Sequence, residues 1–122
     1  MVRALIVSLC LLGTSALAQQ APRADDVLLS TDDLTALLSG YELEFYDGSL
    51  GAYYSNGRYE YRYAPGEAPF TATYEITADS TVCSSFDNGF DRCDLVVRSG
   101  ERYVMIVING DRYPIKAFAE IE

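Results

Sequence analysis

Tyr53-Tyr54-Ser55-Asn56-Gly57-Arg58-Tyr59-Glu60-Tyr61-Arg62-Tyr63 is the stretch on which the fold turns. Tyr59, Tyr61 and Tyr63 share one side of an extended run while Glu60 and Arg62 share the other, the period-two pattern of a strand with one buried face. The Asn56-Gly57 pair ahead of it is the strongest short hairpin signal, because the favoured two-residue turn needs positive φ at both central positions. Similar pairs recur at Asp47-Gly48, Pro65-Gly66, Asn88-Gly89, Ser99-Gly100 and Asn109-Gly110. They divide the chain into candidate strands at 41–46, 52–54, 58–63, 70–77, 82–84, 94–98, 102–109 and 113–119. The fold class predicted is mainly β, an antiparallel meander forming a curved sheet or small barrel, with one short N-terminal helix packed on it.

Working outward, Phe70, Ala72, Tyr74 and Ile76 alternate with Thr71, Thr73, Glu75 and Thr77, again one apolar face. Tyr103 to Ile108 is apolar on both sides, as expected of a strand with something packed on each face. Pro114 has no N–H to donate, so its strand should be an edge or be paired on one side only at that point. Upstream, Ser30 is placed to cap a helix whose third residue is Asp33, and Leu29 and Leu34 occupy staple positions. Leu34, Leu37 and Leu38 then form an i, i+3, i+4 stripe, and Gly40 stops the helix. So short a helix cannot stand alone. Its leucines are expected to cover the second face of the 102–109 strand.

Residues 1–18 read as a cleavable secretory signal: Arg3, an apolar run from Ala4 to Leu12, and Ser15-Ala16-Leu17-Ala18 before Gln19. The run is too short for a permanent span, and Leu9 before Cys10 argues against a lipidated cysteine. Residues 19–26, with Pro22, are expected to be a flexible leader, and residues 27–122 a single domain. Loss of the signal takes Arg3 from nine basic residues and leaves all eighteen acidic ones, a net charge of −10. Such a surface disfavours nucleic acid and anionic lipid and suits a cationic periplasmic protein as partner, although charge of this size also serves solubility alone. With Cys10 removed, Cys83 and Cys93 are an even pair in an oxidising compartment, and a structural disulfide follows. Their spacing is not that of a redox-active C-x-x-C.

The chain has no histidine. That removes Ser-His and Cys-His nucleophiles, the common zinc sites and the usual near-neutral acid–base group. Gly48-Ser49-Leu50-Gly51 lacks the glycine spacing of a nucleophile elbow. Lys116, the sole lysine, has no serine placed beside it by the sequence. Glu42 and Glu44, two apart on a strand, form a carboxylate pair of the kind glycoside hydrolysis uses, but such enzymes need a substrate cleft that a chain this short rarely provides, and the pair reads first as a solvated strand face. Asp87, Asn88, Asp91 and Asp94 cluster near the cysteines without the spacing of a calcium loop and read as a solvated acidic turn. No catalytic residue, metal or cofactor is assigned.

Ten tyrosines are the most unusual compositional feature. Tyr53, Tyr54, Tyr59, Tyr61 and Tyr63 would suit a recognition surface, or would fill a small barrel with their hydroxyls at its rim. Leu38-Ser39-Gly40, the aromatic hairpin Tyr53–Tyr59 and the late Cys83/Cys93 pair together resemble small secreted proteobacterial proteins of unknown function, over most of residues 34–110. Tyr74 stands where that resemblance would place the aromatic of a G-x-W strand. It implies an exported β-domain and carries over no functional residue. Ser99-Gly100-Glu101-Arg102-Tyr103 is similar to the Ser-Gly-x-Arg/Lys-Tyr segment of periplasmic C-type lysozyme inhibitors, whose tryptophan and early cysteine are missing here. Ser99, Gly100, Arg102 and Tyr103 would then form an inhibitor loop. The leading expectation is a non-catalytic periplasmic or secreted binding module. The alternatives are an inhibitor of a basic cell-wall enzyme and a small carboxylate-dependent hydrolase.

Overall fold

The computed structural model describes Gln20–Glu122; the expected signal segment with Cys10 lies outside the described residues. A two-residue strand β1 (Val27–Leu28) and helix α1 (Thr31–Leu38) precede β2 (Tyr41–Phe45), β3 (Leu50–Tyr53), β4 (Arg58–Arg62) and β5 (Phe70–Ala78). The chain continues through β6 (Thr81–Phe86), β7 (Asp91–Ser99), β8 (Arg102–Ile106) and β9 (Arg112–Glu120). Each strand from β2 to β9 pairs antiparallel with the next and β9 returns to β2, so eight strands close into a barrel. β1 adds to β7 just past the end of β6, where Val27 and Leu28 face Arg98 and Val97. Between the open sheet and the barrel, both compatible with the sequence, the chain adopts the barrel.

Four of the connections are one device used repeatedly. In Tyr46-Asp47-Gly48, Ser55-Asn56-Gly57, Asp87-Asn88-Gly89 and Ile108-Asn109-Gly110, the residue before the loop both donates to the residue after it and accepts from the loop's glycine N–H. Gly57 has φ +89°, while no Asn or Asp among the described residues has positive φ. The expected two-residue Asn-Gly turn is therefore not what forms. A three-residue loop forms instead, in which glycine alone takes the left-handed position. The middle residue closes the loop from its side chain, since Asp47, Asn56, Asn88 and Asn109 each accept, through Oδ1, the N–H two residues on, at 2.9–3.0 Å. That side-chain bond mimics a backbone turn and selects Asn or Asp there.

The β5–β6 turn has no glycine. Ser80 is buried with φ +55°. It keeps that conformation because bonds to Leu29 and Val96 engage it: its N–H donates to Leu29 O at 2.8 Å, its hydroxyl accepts from Leu29 N–H at 2.6 Å, and its carbonyl accepts from Val96 N–H at 2.7 Å. The same bonds moor the start of α1 to the barrel. Ser30 Oγ then accepts the Asp33 N–H at 3.1 Å, the expected cap. Leu34 and Leu38 are fully buried in the cluster that holds Leu43, Val82, Val96 and Met105. Their partners come from strands around the ring, so α1 plugs one end of the barrel. Leu37 is only half-buried.

The helix does not cover the second face of β8, contrary to expectation. Met105 points into the barrel core, and Val104 and Ile106, of opposite parity, form a separate buried cluster with Val97 on the outer wall. Residues 20–26 run past this wall and are fastened rather than loose. The Gln20 amide donates to Cys93 O and Ile106 O, and Arg112 grips Asp26 with two bonds of 2.7 and 2.9 Å. Pro114 sits where the sequence requires: opposite Val104 of β8, and one residue before β9 begins to pair with β2 at Ile115. Cys83 and Cys93 face each other across β6 and β7 and are bonded, with Cα atoms 4.0 Å apart. That is shorter than the usual disulfide range of roughly 4.4–6.8 Å, in the direction expected of residues directly opposite in a non-hydrogen-bonded pair, where the strands approach most closely.

Two outcomes follow from this packing. Leu38→Ala should cost about 2–5 kcal/mol in urea denaturation, and Leu37→Ala clearly less, because only the former opens a cavity in the core. The Arg112 guanidinium holds the Asp26 carboxyl down at about 2, from an ordinary 3.8. The folded state thus binds fewer protons than the unfolded one between those values, and Asp26 contributes stability above pH 3.8 that is lost as pH falls toward 2. Arg112→Gln should flatten that part of the stability–pH curve.

Candidate functional site

With α1 filling one end, the other end of the barrel is left open. The loops there are the β2–β3, β4–β5, β6–β7 and β8–β9 connections, and they surround a cavity of about 470 Å³. Of the eight exposed large apolar side chains among the described residues, six stand at this end: Tyr46, Tyr63, Phe70, Phe90, Ile108 and Tyr113. An apolar rim that folding leaves in water is a feature of surfaces that bind. A second hollow of about 400 Å³ lies beside α1, between Leu37, Val27, Leu28, Arg98 and Tyr103. It lacks the buried polar floor that distinguishes the mouth.

That floor is built from three strands. Alternation along β3 and β4 turns Gly51, Tyr53 and Tyr59 inward; Tyr53 and Tyr59 are each 1% exposed and their rings lie 4.5 Å apart. Gly51 makes room for the pair. A Cβ there would sit 3.1 Å from the Tyr59 hydroxyl and 3.3 Å from its ring, so any larger residue would push the ring away from the β3 backbone. From β7, Arg92 and Asp94 also point inward. Arg92 Nε lies 2.9 Å from Asp94 Oδ2, an ion pair in which the N–H is not aimed well enough at the oxygen to make a hydrogen bond. Arg92 Nη2 donates to the Tyr59 hydroxyl at 3.4 Å, and the guanidinium carbon stands 5.8 Å from the ring centres of both Tyr61 and Phe86. Those rings stabilise the cation where water is scarce.

Asp94 is 1% exposed, and its Oδ1 has no hydrogen-bond donor among the described residues; the same holds for the Tyr53 hydroxyl. Burial pushes the Asp94 carboxyl up against the opposing pull of Arg92. It also pushes the Tyr59 hydroxyl up to about 12 and the Tyr53 hydroxyl well above the ordinary tyrosine value. Both phenols are therefore neutral at any physiological pH.

The candidates from sequence separate in space. Tyr53 and Tyr59 are core, Tyr61 and Tyr63 line the mouth, and Tyr54, of opposite parity to Tyr53, hydrogen-bonds Glu60 at 3.4 Å. The five do not form one face. Ser99, Gly100 and Arg102 belong to the β7–β8 turn at the helix end, remote from the mouth, and Tyr103 lines the hollow beside α1. Glu42 and Glu44 alternate with buried Leu43 and Phe45 on the outer wall, and Glu44 pairs with Lys116 at 3.3 Å. Asp94 leaves the supposed acidic turn altogether for the barrel interior, while Asp87 pairs with Arg58 at 3.2 Å and Asn88 closes its own loop. Among the described residues no group of three or more acidic or cysteine side chains is placed to hold a metal. The sequence reading missed Arg92. Its signal was the parity Arg92, Asp94, Val96, visible only if the strand begins at Asp91 rather than Asp94.

Comparisons with protein-family models, curated proteins and solved structures find no match for the chain.

Removing Arg92 should expose what the pair does for stability. Arg92→Met leaves a buried carboxylate without its counter-charge and should cost about 3–5 kcal/mol at pH 7, whereas Arg92→Met with Asp94→Leu should recover most of the loss. A carboxyl whose folded pKa is raised binds more protons folded than unfolded, so its penalty grows as pH rises from the unfolded value through the folded one. Urea denaturation of Arg92→Met should accordingly show a smaller deficit at pH 4 than at pH 7.

Proposed function

We propose that the protein is a non-catalytic binding module of the periplasm or extracellular space that takes a small ligand into the open end of its barrel. The apolar-rimmed cavity with a buried polar floor carries this reading. Its volume is within the range of small-molecule sites, and its make-up, mostly aromatic walls with a few fixed polar groups, is what such sites use for affinity and orientation. The lining holds one carboxylate, Asp47, and the bonds it accepts from Ser49 lower its pKa and make it a weak base toward that hydroxyl, which favours binding over catalysis. The disulfide on the outer wall fits an oxidising compartment. No helix of the described residues is long and apolar enough to cross a membrane.

A second reading, an inhibitor of a cationic cell-wall enzyme, rests on the exposed β7–β8 turn and the acidic surface. Lysozyme inhibition that disappears at high salt would favour it.

Titration with 1-octanol followed by amide NMR tests the first reading. Saturable shifts should centre on Tyr61, Phe90, Arg92 and Tyr113, and Tyr61→Ala should weaken binding about tenfold. Saturable shifts confined to the helix end, or unchanged affinity in Tyr61→Ala, would place binding elsewhere.

A further inference from the structure

We propose that the mouth selects ligands with an anionic, planar head group, a carboxylate on a slender apolar body, and that Arg92 receives the head. This rests on the reading of the mouth as a binding site and names the chemistry it takes. Among the described residues Arg92 is the only cation that lines the cavity, and its side chain is 21% exposed. A guanidinium has five N–H donors in a rigid fork. Asp94 approaches it at Nε, and Tyr59 accepts one bond at Nη2. Nη1 has no acceptor among the described residues, so the outer edge of the guanidinium keeps donors that a carboxylate can engage.

The neighbours hold that edge in place. Asp94 fixes one side of the fork from beneath, and the Tyr61 and Phe86 rings flank the guanidinium. The arginine is thus ordered before a ligand arrives, which reduces the entropy lost on binding. Asp94 also repels an incoming anion. Its own charge is matched by Arg92, however, and it lies below the guanidinium rather than in the cavity lining. Asp47 lies at the rim, where its carboxylate accepts the Ser49 hydroxyl and N–H. There solvent and salt screen it, while the half-buried guanidinium acts at short range and is screened less. The head group therefore meets the donor side of the guanidinium, with the paired carboxylate behind it, and Phe45, Tyr61, Met105 and Tyr113 remain for the apolar body.

The test compares three ligands of one chain length, octanoate, 1-octanol and octyltrimethylammonium, by calorimetry and amide NMR on the full domain. Octanoate should bind at least tenfold tighter than either of the others. Arg92→Gln should abolish that preference by weakening octanoate far more than 1-octanol, and Asp94→Asn should tighten octanoate several-fold by removing the opposing charge. Octyltrimethylammonium binding as well as octanoate, or a preference that survives Arg92→Gln, overturns the head-group assignment and leaves the mouth as a binding site. If none of the three perturbs the mouth, the binding reading itself falls. Should Arg92→Gln fail to fold, the ranking on the native chain and the direction of the Asp94→Asn change decide the matter.

Discussion

A meander of eight strands becomes a barrel only if its last strand finds its first, and β9 meets that condition by dividing its length. Residues Arg112–Pro114 pair with β8 and Ile115–Glu120 with β2, with a register shift at Lys116. Pro114, which could not serve between two neighbours, stands at the changeover where it has one. Closure removes both free edges of the ring, and with them the row of unpaired N–H and C=O groups that invites aggregation. The remaining edge belongs to β1, only two residues long.

Closure also makes strand parity decisive. Once the sheet is a ring, every second side chain is committed to an interior of fixed width, and inward positions must fill it without clashing. Large rings at Tyr53 and Tyr59 are admitted by Gly51, and the small Ala72 stands beside Tyr59 on the neighbouring strand. At one end α1 completes the filling with Leu34 and Leu38. Nothing among the described residues does the same at the other end, and the result is a molecule with a sealed base and an open mouth. The asymmetry follows from topology: the helix enters β2 through Gly40, so it can reach only the end at which β2 begins.

Electrostatics sharpen the contrast between wall and interior. The outside is acidic, and some of its few cations form surface pairs such as Arg58–Asp87 and Lys116–Glu44. Exposed pairs of this kind contribute little to stability. Inside, Arg92 and Asp94 form a pair whose desolvation cost is large and whose alignment is imperfect, so it is poor evidence of stabilisation. A buried charge that does not improve the fold is more readily understood as something the molecule uses.

Much of the architecture was legible in the residues themselves. The alternation in 59–63 and 70–77, the Ser30 cap and the Cys83/Cys93 pair act over one turn or one hairpin, and such short-range patterns survive folding unchanged. The turn at Asp79-Ser80 was not legible, because a serine holds positive φ only when Leu29 and Val96, distant in sequence, bond to it. Nor was the place of α1: a leucine stripe declares that it will be buried but not against what, and the interior of a ring exists only after the ring has closed. The site shows the same division. Tyrosines at 53, 54, 59, 61 and 63 were conspicuous as a group, yet parity and depth sent two to the core, two to the mouth and one to the outer wall. Arg92 and Asp94 looked like the polar margin of a loop. Sequence alone determined the strands, the cap and the covalent link, which depend on neighbours along the chain. The mouth and its buried cation were decided by closure, which brings together side chains that no local pattern relates.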